Sequence, residues 1–145
     1  MRQRQVLRGV GALVGVLLMS GCGIDLGTLD YTEPEFVGSY VGDGATMVVA
    51  LGKDRTFRAV GVPDEVLDDA MDGPVEEAPA ELEGTWRYVS KTAPDRVELT
   101  VTDADGRPTE LGELPLYVAD ADDLFFLPDR LGREKIMVSR GEPGR

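Results

Sequence analysis

Between residues 36 and 140 apolar side chains recur at every second position, and turn residues interrupt the pattern at short intervals. Successive side chains of an extended backbone point to opposite faces, whereas a helix needs a period of 3.6. The pattern therefore predicts strands. Val97, Leu99 and Val101 alternate with Arg96, Glu98, Thr100 and Thr102. Leu82, Gly84, Trp86 and Tyr88 alternate with Glu83, Thr85 and Arg87. Met47, Val49 and Leu51 line one face of another strand, and Phe36, Gly38 and Tyr40 share a face of the first. Phe57 and Ala59 continue the pattern, with Thr56 and Arg58 opposite. Further strands are expected over residues 114–119, 123–127 and 135–140.

Asp43-Gly44 and Asp105-Gly106 suit primed hairpin turns, in which the central residues take positive φ. Gly52-Lys53-Asp54-Arg55 and residues 129–133 read as further connections, and Ala93-Pro94-Asp95 breaks the chain before the Val97 strand. The segment 63–81 differs, with eight acidic residues and no Lys or Arg. Within it, Val66, Leu67, Ala70 and Met71 have helical spacing, with Asp64 at the start and Gly73-Pro74 at the end. The expected fold is all-β: an antiparallel meander of about eight short strands, closed as a barrel or folded as a sandwich, with one short acidic helix or loop crossover. Phe36-Val37-Gly38-Ser39-Tyr40 and Leu82-Glu83-Gly84-Thr85-Trp86 echo each other at the openings of two strands.

The N-terminus has its own logic. Arg2, Arg4 and Arg8 precede an uncharged stretch of 11 residues, 9–19, and then Ser20, Gly21 and Cys22. This is the layout of a secretory signal peptide. As a helix that stretch rises only ~16 Å, short of the ~30 Å hydrocarbon core. Leu18-Met19-Ser20-Gly21-Cys22 resembles the lipobox of bacterial lipoproteins, with Met19 where that family more often has Leu, Val or Ile. The resemblance implies cleavage before Cys22, with diacylglycerol on its thiol and an N-acyl chain on its amine. It implies a mature protein held by lipid on the extracytoplasmic face of the cell membrane. Multiple acyl chains suffice for stable anchoring, where one gives marginal binding. The expected organisation is a signal peptide over 1–21, a lipidated N-terminus and tether over 22–34, a β domain over 35–141 and a tail over 142–145. Twelve Arg against three Lys gives the composition of a high-GC bacterium, similar to an actinobacterial protein.

The net charge is −12, and −15 once the leader is removed. Such a chain is a poor partner for nucleic acid, which needs Lys and Arg against its phosphates. With no His, Ser-His-Asp chemistry is excluded. With one Cys, there is no intrachain disulfide and no Cys- or His-ligated metal site. Asp103-Ala104-Asp105-Gly106 and Asp120-Ala121-Asp122-Asp123 cluster carboxylates, but neither has EF-hand spacing, and turn chemistry accounts for them. A carboxylate-based hydrolase is the one catalytic alternative left open. No catalytic residue, no metal and no cofactor beyond the lipid at Cys22 is expected.

Tyr40, Trp86 and Tyr88 are the candidate ligand or core aromatics. Phe125 and Leu127, on the face opposite Phe126, are the candidate partner patch. With the lipobox, the Gly-Ser-Tyr and Gly-Thr-Trp strand openings resemble small lipoproteins with a lipocalin-like β-barrel. That resemblance implies a cavity for an apolar ligand at the barrel mouth. The expected partner is a small ligand or an envelope protein; the alternative is a structural or interaction module with a packed core.

Overall fold

The computed structural model describes residues 30–70, 77–90, 94–128 and 134–142. Outside them lie the leader, Cys22, most of the tether, Ala93, the helix stop at Gly73-Pro74, the turn at 129–133 and residues 143–145. Eight antiparallel strands follow one another around a closed barrel. They are β1 (Gly38–Gly42), β2 (Val48–Leu51), β3 (Thr56–Val60), β4 (Glu81–Val89), β5 (Arg96–Ala104), β6 (Arg107–Val118), β7 (Asp123–Phe126) and β8 (Ile136–Arg140). Pairing of β1 with β8, through Tyr40↔Arg140, Val41↔Ser139 and Gly42↔Val138, decides for the barrel over the sandwich.

The apolar alternation is what fills the interior. Val49 pairs with Ala59, Ala59 with Leu82, Trp86 with Leu99 and Leu99 with Leu114. All six of these side chains are buried. Gly84 sits in this lining between Phe57 and Val101. A Cβ there would lie 1.9 Å from the Thr100 carbonyl oxygen and 2.9 Å from the Phe57 ring. Only glycine allows β4 to approach β5 so closely, and the register shifts between Glu83 and Gly84.

The two Asp-Gly pairs behave differently. Asp105 and Gly106 have φ of 51° and 74°, which suits a two-residue primed turn, and Ala104 pairs with Arg107 across it. Asp43-Gly44 instead lies in a 3₁₀ turn over Asp43–Ala45. The hairpin closes from the Gly42 N–H to the Met47 carbonyl at 2.9 Å. The wider loop lets Met47 turn its side chain into the core.

Both ends of the barrel are plugged. A 3₁₀ turn, Glu33–Phe36, precedes β1 and seats Phe36 at 0% exposure. Phe36 is thus not part of the first strand, because Pro34 holds the segment in the turn. Glu35 accepts hydrogen bonds from the Thr32 N–H and hydroxyl, fixing the start of the turn. Tyr31 also packs against the core, so the folded body begins ahead of Glu35. At the opposite end, α1 (Asp64–Ala70) leaves β3 and buries Val66 and Leu67. Phe36, the strand interior, Val66 and Leu67 belong to one continuous hydrophobic cluster.

Candidate functional site

The end closed by the 3₁₀ turn carries most of the candidate residues. Tyr40 is fully buried on β1. Its phenol proton is shared between the carbonyls of Phe36, 3.1 Å, and Ala121, 3.0 Å. Burial pushes the phenol up to about 12, with the Arg140 guanidinium pulling the other way. The group therefore stays a donor at neutral pH. Arg140 lies over the ring, 5.1 Å from its centroid. Its guanidinium donates to the carbonyls of Glu35, Val37 and Ala121, to Tyr40 Oη and to Asp122. One side chain thus ties the 3₁₀ turn, β1, the β6–β7 turn and β8 together.

Trp86 is pinned by the β2–β3 turn at two points. Its indole N–H donates to the Gly52 carbonyl, 2.9 Å, and its backbone N–H to the Arg55 carbonyl, 2.8 Å. The side chain is 3% exposed and belongs to the core, yet it also forms one wall of a cleft of about 300 Å³. Glu33, Pro34, Val37, Lys53 and Arg55 complete that cleft. Arg55 reaches across it to Glu33 at 2.8 Å. Tyr88 is half-buried, with its ring 4.8 Å from that of Phe36 and its hydroxyl 2.6 Å from Asp95. Burial and that hydrogen bond hold its phenol well above the usual range. Tyr40, Trp86 and Tyr88 therefore gather toward one closed end; they do not line an open mouth.

The expected partner patch takes a different form. Phe126 is in the core and Phe125 faces outward, as alternation requires. Phe125 is nevertheless only 5% exposed. Tyr117 stacks on it at 5.6 Å and the Lys135 ammonium sits 4.5 Å from its centroid. Leu127 is half-buried. An aromatic on the outer wall is covered by its cross-strand neighbour and a cation, so Phe125 and Leu127 offer no open apolar patch. Among the described residues Val60 is the large apolar side chain left exposed, at 39%.

Glu98 points away from the barrel interior but is 3% exposed, because two arginines lie across it. Arg87 donates from Nε at 2.7 Å, and Arg96 donates to the other carboxylate oxygen at 2.9 Å. Burial raises the carboxyl, and the bonds from Arg87 and Arg96 outweigh it, so Glu98 is held below the usual carboxylate range. Its contribution to stability is present above the unfolded-state value and is lost as pH falls through the lower folded one. The wild type is thus expected to lose stability faster than Glu98→Gln as pH drops below ~4. Urea midpoints across pH 2–6 check this; parallel curves would contradict it.

The clustered aspartates serve the turns. Asp120 accepts from the N–H groups of Asp122, 2.8 Å, and Asp123, 2.9 Å. Asp105 accepts from the Glu81 N–H at 2.9 Å. Among the described residues no three His, Cys, Asp or Glu side chains come together where they could hold a metal ion. A second groove, about 590 Å³, runs over β2 to β5, and its Arg58 is already paired with Glu81 at 2.6 Å. Among the described residues no helix is long and apolar enough to cross a membrane. Cys22 lies outside the described residues. No protein-family model, curated protein or solved structure matches the chain at a significant level.

Proposed function

We propose that this chain is a lipid-anchored module of the cell envelope that binds its partner on the outside of a solid barrel and performs no catalysis. The observation that carries this reading is the continuous core. It runs from Phe36 at one end, through the strand interior, to Val66 and Leu67 at the other. Buried side chains occupy the space in which a carrier would hold its cargo. The lipobox-like sequence ending at Cys22 supports the anchor. Seven residues lie between Cys22 and Asp30, a reach of at most ~29 Å over eight backbone steps. On this reading the end plugged by the 3₁₀ turn lies within that reach of the bilayer.

Two measurements test the reading. Cys22→Ala is expected to abolish incorporation of labelled palmitate and to leave the protein unprocessed or unanchored; unchanged labelling would overturn the anchor. Native mass spectrometry of the processed protein is expected to give the bare lipidated mass. An added mass lost on denaturation, with binding unaffected by substitutions on the outer surface, would restore an interior carrier.

A further inference from the structure

We propose that the cleft beside Trp86 binds the acidic head and adjoining carbons of a single-chain anionic amphiphile, such as a fatty acid. Its apolar wall is Pro34, Val37 and Trp86, and its cations are Lys53 and Arg55. In an acidic chain most cations of the described residues are engaged. Arg58 pairs with Glu81, Arg87 and Arg96 with Glu98, and Arg140 with Asp122. Lys53 is exposed and makes no ion pair or hydrogen bond with any described residue. An unpaired ammonium at the rim of an apolar cleft matches an anion joined to an apolar chain. A volume of about 300 Å³ lies at the lower end of small-molecule sites, enough for part of one chain and not for two.

The backbone of Arg55 supports the same reading. The β2–β3 loop is a turn followed by a residue in the left-handed region, a position that favours glycine. Arg55 occupies it at φ 65°. The conformation carries a long cation over the cleft, where it holds Glu33 at 2.8 Å until an anionic head competes for it. The inference rests on the proposed anchor only for the nearness of this end to the bilayer.

Trp86 is the single tryptophan of the chain and lies in the cleft wall, so its emission reports occupancy. The full chain is titrated at low salt with decanoate, with decanol as the neutral counterpart and with phosphatidylglycerol vesicles. Saturable decanoate binding is expected, at least tenfold tighter than decanol and weakened at least tenfold by Lys53→Gln. Arg55→Gly is expected to lose the same response with no fall in Tm, since glycine relieves the turn. A response to the anionic vesicles alone would overturn a single-chain occupant, because a phosphatidylglycerol molecule carries two chains and the cleft holds part of one. Equal responses to decanol and decanoate, indifference to Lys53→Gln, or no response to either anionic probe would overturn the site. Palmitate labelling at Cys22 is unaffected by any of these outcomes, so failure of the site and failure of the anchor are separable.

Discussion

Replacing Trp86 with alanine is expected to lower the unfolding free energy by about 3–5 kcal/mol, the range for an aromatic truncated in a core. The side chain is 3% exposed and pairs with Leu99 across β4–β5. Its loss leaves a cavity next to the plug at this end and removes the donor to the Gly52 carbonyl. Barrel walls are tied on both sides, so the strands cannot collapse inward to refill the space. Small domains have only ~5–15 kcal/mol in total, so the variant approaches the limit of folding. Urea unfolding followed by far-UV circular dichroism measures it, because the fluorescent reporter is itself removed. A loss below ~1 kcal/mol would place the indole outside the core.

Arg140→Ala is expected to cost about 2–3 kcal/mol, and Arg140→Lys to restore less than half of that. The guanidinium donates to three carbonyls, to Tyr40 Oη and to Asp122, from a side chain 34% exposed. Each bond to a charged donor is worth ~1.5–3 kcal/mol when its acceptor is stranded, but the freed carbonyls regain water once the plug loosens, so the terms do not add. Lysine offers a point charge and cannot span acceptors that radiate from a planar fork. The variant should also become sensitive to proteolysis between Tyr31 and Val37 while the strands stay protected. A shift within ~0.5 kcal/mol, with the segment still protected, would show that Phe36 alone holds the plug.

The strands were legible because burial on one face forces the period of two. Val97, Leu99 and Val101 are buried where alternation puts them, and Asp105-Gly106 turns where positive φ is needed. Closure was not legible, since β1–β8 pairing joins segments nearly a hundred residues apart and no local pattern encodes it. Arg140 follows Val138 at a spacing that aims it inward, and a cation in a core position was the available signal for the tie. Thr32-Glu33-Pro34-Glu35 has the Thr-x-x-Glu spacing of a helical start, which would have moved the edge of the folded body N-terminal to Glu35. Lys53 and Arg55 read as ordinary turn residues, because their cleft is completed by Glu33, Pro34 and Val37 from another part of the chain. Alternation puts Phe125 on the face opposite Phe126, but its burial depends on Tyr117 across the strand pair and on Lys135 after the following loop.

Closure of β1 on β8 also dictates how this chain acquires its shape in time. The Tyr40–Arg140 contact spans 100 positions of sequence, so it carries one of the largest loop-closure costs available to a chain of this length. Such non-local contacts make folding slow relative to the local hairpins of β2–β3 or β5–β6. A chain synthesised N-terminus first must therefore wait for its final strand before its first strand has two neighbours. During that interval β1 and β7 each present an open edge, the template on which strands of other molecules add. Truncation ahead of Ile136 is a lesion of assembly: it removes β8, and the two exposed edges make the product a substrate for aggregation and for proteases.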